Sequence, residues 1–164
     1  MKRTAIFLDR DGVLNRERGE HTWRPEDFEV LPGVAEAVAA INRSGRAAIV
    51  ISNQSGIGLG LYTRKEVEVL HAELSRQLSA KDAHLDAILY CPHHPTTGRC
   101  LCRKPGGLLL ERAIARYDLD PARSVMIGDR ERDVQAANSV GVRGVLTASN
   151  APLFPLVQEL LLQA

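Results

Sequence analysis

The fold is decided by residues 7–15, which read FLDRDGVLN. An apolar run from Thr4 leads into this stretch and is typical of a short buried strand. The strand ends in two acids, Asp9 and Asp11, at the position where open α/β sheets bind their ligands. Because crowded carboxylates repel each other, such a pair indicates a metal ion, acid–base chemistry or both. Taken alone, the motif is also compatible with a turn that carries two solvated acids.

Strands and helices alternate along the rest of the chain. Apolar runs predict five strands, at residues 4–8, 46–52, 87–90, 124–128 and 143–147. Helices are predicted at 33–44, 107–117, 130–140 and 150–162, and a capping-box sequence at 63–66 begins a further one. The strands are continuously apolar, which favours a parallel sheet covered on both faces. Residues 1–164 are therefore expected to form one three-layer α/β domain.

The composition argues against several classes of partner. The chain has 164 residues, 45% of them hydrophobic and 25% charged, and a net charge of +1, which is typical of a globule and does not favour nucleic acid. No apolar run reaches the roughly 18 residues that span a bilayer, and the first strand leaves no room for a signal peptide. The three cysteines all lie between Cys91 and Cys102, a poor disulfide pattern. We expect a cytoplasmic monomer that binds neither nucleic acid nor a membrane.

Further polar residues follow the other predicted strands. Ser52 and Asn53 end the second strand, and Asp129 ends the fourth, with Asp133 four residues later. The carboxyl ends of parallel strands meet at one edge of a sheet, so these side chains are expected in one crevice, to which Lys104 adds a positive charge. This combination suits a phosphate and Mg²⁺. Each residue alone could equally be a helix cap or a solvated side chain.

Four motifs in this order resemble those of the haloacid dehalogenase (HAD) superfamily of phosphohydrolases. They are Asp9-x-Asp11-Gly12, Ser52, Lys104 and Gly128-Asp129-x-x-x-Asp133. The resemblance implies a HAD-like Rossmannoid fold in which Asp9 is the nucleophile and forms an aspartyl-phosphate. It also implies that Asp11 is the general acid and then the general base, while Ser52 and Lys104 hold the phosphate.

The same resemblance implies a magnesium ion held by Asp9, the backbone carbonyl of Asp11, and Asp129. Asp133 would lie near the ion or orient Lys104. The segments between the motifs are too short for a separate cap domain. The alternative of a different class is a non-enzymatic phospho-acceptor of the response-regulator type, which shares the aspartate, the sheet and the lysine. Such a protein needs no general acid two residues after its phosphorylated aspartate, so Asp11 favours an enzyme.

A second cluster lies at residues 91–102, which read CPHHPTTGRCLC. Three thiols and an imidazole can close a tetrahedral zinc site that has no open position for catalysis. We predict a structural zinc ion, with His93 preferred to His94 because the family pattern is Cys-x-His…Cys-x-Cys. The predicted ligands are Cys91, His93, Cys100 and Cys102. The alternative is a surface loop with reduced, metal-free cysteines.

The Cys/His cluster at residues 91–102 narrows the resemblance to members of the superfamily that act on small phosphorylated metabolites. Asn53 and Arg103 match positions that contact the substrate in those proteins, which implies a phosphorylated sugar. A second phosphate on the sugar would pair with Arg103 and with Arg10 or Arg64. Histidinol phosphate is the alternative, because the loop after His93 is short and because its amine would favour acids at the entrance. The candidates for that contact are Glu17, Glu20 and His21.

Overall fold

A five-stranded parallel sheet forms the centre of the protein, whose computed structural model describes residues 1–163. The strands are β1 (Ala5–Leu8), β2 (Ala47–Asn53), β3 (Ala87–Cys91), β4 (Val125–Gly128) and β5 (Arg143–Leu146). The helices are α1 (Val34–Arg43), α2 (Arg64–Ser79), α3 (Leu108–Arg116), α4 (Glu131–Ser139) and α5 (Leu153–Leu162). Single turns of 3₁₀ helix lie at Pro25–Asp27, Pro95–Thr97 and Pro121–Arg123. The predicted elements are all present, with bounds that agree to within a few residues.

The strand order is β3-β2-β1-β4-β5, and β1 pairs in parallel with β2 on one side and β4 on the other. Leu8, the last residue of β1, lies level with Val50 and Ile127. The chain builds the sheet outward from β1 in one direction and then in the other. The order therefore reverses at β1, and this reversal is where doubly wound sheets open a crevice for a ligand.

Both faces of the sheet are covered, which confirms the predicted three layers. Along β1, Ile6 and Leu8 pack into a core with α1, α2 and α5, while Ala5 and Phe7 pack into a second core with α3 and α4. All four β1 side chains are fully buried. A strand that is buried on both faces has no polar side, which explains its continuous apolar sequence.

The starts of two helices, α2 and α5, are explained by the residues beside them. At the start of α2, Thr63 Oγ1 accepts a hydrogen bond from the Glu66 backbone N–H, and the Glu66 carboxylate accepts one from the Thr63 backbone N–H, so the predicted capping box is present. The last helix begins at Leu153 rather than at residue 150. Pro152 disfavours a helical conformation in the residue before it, and Pro155 lies in the first turn, where a missing N–H costs no hydrogen bond.

Two loops cover the carboxyl edge of the sheet. Between β1 and α1 the described chain contains the 3₁₀ turn at Pro25–Asp27 and otherwise irregular structure, as predicted. Between β2 and α2 it has neither helix nor strand. The described residues therefore contain no inserted cap domain. None of their helices is both long enough and apolar enough to cross a membrane.

Candidate active site

A buried ion pair forms the base of the site. Asp9 follows β1 directly, and its Oδ1 lies 2.8 Å from Lys104 Nζ, although 95 residues separate them in sequence. Lys104 is only 2% exposed. Its ammonium also donates to the backbone carbonyl of Ile51 and lies 2.6 Å from Asp133 Oδ1. The structure thus brings Asp9, Lys104 and Asp133 together, with the lysine in contact with both acids.

The charges of these groups depend on one another. Burial raises the pKa of Asp9 to about 7; the Lys104 charge opposes this rise, while Asp133 and Asp11 add to it. Burial lowers the pKa of Lys104, but the two neighbouring carboxylates outweigh burial and raise it above its usual value. The lysine is therefore charged at neutral pH, and it is one cation beside several acids.

Asp129 adds another carboxylate at the end of β4. Asp9, Asp129 and Asp133 each place an oxygen within 4.8 Å of the others. Asp133 uses one oxygen on Lys104 and the other on the Arg130 backbone N–H, whereas Asp9 Oδ2 and Asp129 Oδ1 accept no hydrogen bond from the described residues. A set of oxygen donors with surplus negative charge fits a divalent cation such as Mg²⁺. Gly12 allows this approach, because a Cβ there would lie 2.2 Å from Asp129 Oδ2.

Asp11 is held at both of its carboxylate oxygens. Oδ1 accepts hydrogen bonds from Arg10 Nη2 at 2.8 Å and from Asn15 Nδ2 at 2.9 Å. Oδ2 accepts one from Gln54 Nε2 at 3.1 Å. Burial raises the pKa of Asp11, but the Arg10 charge and these hydrogen bonds outweigh it, and the pKa lies below its usual value.

Arg10 corrects one expectation from the sequence. It is 0% exposed, so it cannot reach a substrate phosphate. Its Nη2 also donates to the Thr22 carbonyl at 2.7 Å, and its Nη1 lies 3.4 Å from His71 Nε2 on α2. Arg10 therefore ties the loop after β1 to Asp11. The other expected partner, Arg64, stands over the ring of Tyr90 rather than in the site.

His71 is expected to make the protein less stable in acid. Burial, and then the Arg10 charge, lowers the pKa of His71 to about 3 from the ordinary 6.5. Above pH 6.5 both the folded and the unfolded states carry a neutral imidazole. As the pH falls toward 3, only the unfolded state takes up this proton, so stability is lost at up to about 1.4 kcal/mol per pH unit.

The measurement is urea unfolding of the wild type and of His71→Gln between pH 6.5 and about pH 4.5. The free energy of unfolding should fall less steeply with acid in the variant. The control is His84→Gln, because His84 is exposed. Identical pH slopes for wild type and His71→Gln would contradict a buried neutral imidazole.

The end of β2 supplies Ser52 and Asn53, which occupy different places. Ser52 is fully buried beneath Gln54, whose Nε2 donates to Ser52 Oγ at 2.8 Å. Asn53 lines the cavity above. Its side chain exchanges two hydrogen bonds with the Lys104 backbone, one to the carbonyl at 3.2 Å and one from the N–H at 3.0 Å. Asn53 therefore also holds Lys104 in position.

A cavity of about 280 Å³ opens above these groups. Asp9, Asp11, Lys104 and Asp129 lie at its base, Arg103, Arg130 and Arg132 line one part of its wall, and Glu17, Glu20 and His21 line another. Arg103 Nη1 is buried without a hydrogen-bond partner among the described residues. Arg132 is exposed, and no carboxylate of the described chain lies within 4 Å of Arg103 or Arg132. The wall thus contains positive charge that the protein itself does not neutralise.

The predicted Cys/His cluster is assembled in the loop that ends at Arg103. One atom of each of the four predicted ligands, Cys91, His93, Cys100 and Cys102, lies within 4.8 Å of the others. His93 contributes Nδ1, at 3.4 Å from Cys91 Sγ and 3.2 Å from Cys102 Sγ. The neighbouring His94 bonds Thr96 instead. Such a cluster can hold a metal ion with tetrahedral coordination.

Known proteins resemble this chain in sequence and in structure. The chain matches the HAD-hydrolase-like family over residues 101–152. It is 38% identical over 158 residues to the D-glycero-beta-D-manno-heptose-1,7-bisphosphate 7-phosphatase of Escherichia coli K12, an alignment that covers 92% of this chain and 82% of the relative. The corresponding enzyme of Thermosynechococcus vestitus is 41% identical, with 89% and 79% covered. The chain belongs to the heptose-1,7-bisphosphate 7-phosphatase family of HAD hydrolases.

The fold agrees with this assignment. A crystal structure of the D,D-heptose 1,7-bisphosphate phosphatase from B. bronchiseptica, complexed with magnesium and phosphate, superimposes with a TM-score of 0.90 at 31% identity. The match covers 98% of this chain and 99% of that one. The resemblance to the HAD superfamily is thereby confirmed, and this chain is a HAD phosphatase.

Sequence reasoning missed several residues that shape the site of this HAD phosphatase. Asn150 has a positive φ of 64° and its backbone N–H donates to the Gly12 carbonyl. The Asn150 side chain accepts from the Glu17 N–H at 2.7 Å and donates to the Glu17 carbonyl at 3.1 Å. Ser149 donates to Asp129. The available signal was their position, since both follow the fifth predicted strand at the same edge of the sheet.

Proposed function

We propose that this protein removes the 7-phosphate of D-glycero-D-manno-heptose 1,7-bisphosphate through an aspartyl-phosphate intermediate. The observation that carries the proposal is the Asp9–Lys104 ion pair at the base of a cavity whose wall holds uncompensated arginines. The names of the relatives support the choice of substrate. The reaction class follows from the arrangement of the two aspartates and the lysine.

The attacking atom is Asp9 Oδ2. Oδ1 already accepts hydrogen bonds from Lys104 Nζ and from the Arg10 backbone N–H, which leaves Oδ2 free to attack phosphorus. Once the negative charge of the bound phosphate raises the pKa of Asp11, this carboxyl group takes up a proton. As the bond from phosphorus to the sugar oxygen breaks, Asp11 donates that proton to the oxygen. Asp11 then accepts a proton from the water that attacks the aspartyl-phosphate. Lys104 stabilises the charge that develops during both transfers.

The metal ions are assigned from the donor sets. Asp9, Asp129 and the backbone carbonyl of Asp11 would hold Mg²⁺, which supplies positive charge for the phosphate oxygens. The named relative of known structure contains magnesium, which supports this assignment. The Cys/His cluster would hold Zn²⁺ with a structural role, because its four ligands leave no open position.

The second phosphate of the substrate would bind at Arg103 and Arg132. Burial lowers the pKa of Arg103, and the Arg132 charge lowers it further, which reflects two guanidinium groups near each other without an acid between them. Arg103 and Arg132 both line the cavity, so an anion there could pair with the two guanidinium groups. A charged hydrogen bond of this kind is worth about 1.5–3 kcal/mol, so a monophosphate should be a poorer substrate by roughly 10- to 100-fold.

Histidinol phosphate is the competing substrate, because Glu17 and Glu20 also line the cavity and could pair with its amine. We favour the bisphosphate, since Arg18 lies between these acids and forms ion pairs with Glu20 and Asp27. The acids of this wall are thus partly neutralised by the protein. Arg103 and Arg132 have no carboxylate partner among the described residues.

The test is kcat/KM for heptose 1,7-bisphosphate, fructose 1,6-bisphosphate and histidinol phosphate under one set of conditions. Heptose 1,7-bisphosphate should lead, and Arg132→Gln should raise its KM without changing KM for a sugar monophosphate. Arg43→Gln is the matched control, because Arg43 ends α1 at the opposite edge of the sheet. A tenfold lead for histidinol phosphate would overturn the choice of sugar.

We further propose that the active unit is a monomer in the cytoplasm. All proposed catalytic groups lie in one chain, and the three cysteines are free thiols clustered at a metal-binding geometry, which suits a reducing compartment.

A further inference from the structure

The side chain of Gln54 connects three polar groups of the site. It is 2% exposed and lies in the cavity wall. Its Nε2 donates to Asp11 Oδ2 at 3.1 Å and to Ser52 Oγ at 2.8 Å, and its Oε1 accepts from the Tyr62 hydroxyl at 2.9 Å. The amide therefore uses both of its hydrogens on groups that belong to the proposed reaction.

Tyr62 determines which way the amide faces. Burial raises the pKa of Tyr62 to about 12, so its hydroxyl keeps its hydrogen and donates it to Gln54. A flipped amide would turn its carbonyl oxygen toward the carboxylate of Asp11, which is repulsive. The ring of Tyr62 is fixed in turn by stacking on Trp23, with centroids 5.9 Å apart. Gly56 leaves room for it, because a Cβ there would lie 2.1 Å from the Tyr62 ring.

The hydrogen bonds distinguish the two oxygens of Asp11. Oδ1 accepts from Arg10 and Asn15, which occupies both of its lone pairs. Oδ2 accepts only from Gln54 and keeps one lone pair. A proton that travels to and from the substrate must therefore be carried by Oδ2. Ser52 Oγ accepts the second Gln54 hydrogen, so the amide is held at two points through its nitrogen.

We propose that Gln54, oriented by Tyr62, is a positioning residue that aims Asp11 Oδ2 at the leaving oxygen. This inference rests on the proposed roles of Asp9 and Asp11 but not on the identity of the sugar. In the step concerned, Asp9 forms a bond to phosphorus, the bond from phosphorus to the ester oxygen breaks, and that oxygen takes the proton from Asp11 Oδ2. Gln54 neither gains nor loses a proton.

The test compares two substrates of similar size, benzyl phosphate and p-nitrophenyl phosphate. The benzyl alkoxide is a strong base and needs a proton to leave, whereas nitrophenolate is a weak base and does not. In Gln54→Met, kcat/KM for benzyl phosphate should fall by roughly 10- to 100-fold, because general acid catalysis is worth about 10²–10⁴-fold. For p-nitrophenyl phosphate it should fall by no more than about threefold.

Tyr62→Phe provides a second variant that keeps the ring and removes only the hydroxyl. Its kcat/KM should also fall more for benzyl phosphate than for p-nitrophenyl phosphate, but by a smaller factor than in Gln54→Met. The reason is that the amide is present but no longer held in one orientation. Gln77→Met is the matched control, because Gln77 lies on α2 and bonds Glu73. Melting temperatures of all variants show whether the fold is kept, and Tyr62→Phe carries the test if Gln54→Met does not fold.

The variant Asp11→Asn distinguishes the proposed role of Gln54 from the proposed role of Asp11. Suppose that Asp11→Asn lowers kcat/KM selectively for benzyl phosphate but neither Gln54→Met nor Tyr62→Phe does so. Gln54 then has no positioning role, and the proposed function stands. If Asp11→Asn lowers kcat/KM by the same factor for both substrates, the proposed role of Asp11 is itself wrong. Equal losses for both substrates in Gln54→Met would also overturn the inference, because a purely structural change does not distinguish leaving groups.

Discussion

Asp9→Asn should abolish phosphate release from every ester, with a loss of roughly 10⁴-fold or more, since removal of a nucleophile costs about this much in other hydrolases. A neutral amide cannot attack phosphorus or leave again as a carboxylate. The fold should survive the change. Lys104 keeps its contacts with Asp133 and with the Ile51 carbonyl, so its buried charge is not left without a partner.

The measurement is inorganic phosphate release under saturating substrate, together with the melting temperature. Asp82→Asn is a matched control, because Asp82 is exposed and has a positive φ of 55°, which asparagine adopts readily. Turnover by Asp9→Asn above about one hundredth of the wild-type rate would assign the nucleophile to another residue.

Loss of a ligand from the Cys/His cluster should lower stability and activity together. We expect one zinc ion per chain by elemental analysis, retained in Mg²⁺-free buffer. His93→Ala should release it and cost about 4 kcal/mol, a size typical of losing a structural metal. For a chain of this length each kcal/mol is worth about 2–4 °C, so the melting temperature should fall by about 8–16 °C.

Activity should fall because Cys102 is followed directly by Arg103 and Lys104. A loosened loop misplaces both cations relative to Asp9. His94→Ala is the control, because His94 is adjacent in sequence but bonds Thr96 rather than the cluster. Metal-free wild-type protein with an unchanged melting temperature and unchanged kcat would refute the structural zinc ion. Zinc loss from His94→Ala instead of His93→Ala would reverse the choice of ligand.

Sequence predicted the elements of this fold well because the signals are local. A strand such as β1 has an unbroken apolar sequence, and α2 begins with a capping box whose residues are three positions apart. The positions of Asp9, Asn53 and Asp129 followed from a general property of parallel sheets. Strand order itself was not predicted, since it depends on which buried faces fit each other.

The errors and omissions lie where distant segments meet. Arg10 stands between two aspartates of the site and looks available to substrate, yet it turns inward to the Thr22 carbonyl and to His71 on α2. Gln54 gains its importance from Tyr62 and Asp11. The role of Asn150 depends on Glu17, which is 133 residues away. No local pattern encodes these partners, because each contact exists only after the chain has folded.

The entrance loop is fastened to the body of the protein at two places. Asn150 holds the backbone of Glu17 on one side, and buried Arg10 holds the carbonyl of Thr22 on the other. Only residues 18–21 lie between these attachments, and they include Glu20 and His21 of the cavity wall. Because both ends of this short segment are fixed, its residues can be replaced without moving the attachment points. The four residues could therefore be varied to alter the substrate range, while Asp9, Asp11 and Lys104 stay unchanged.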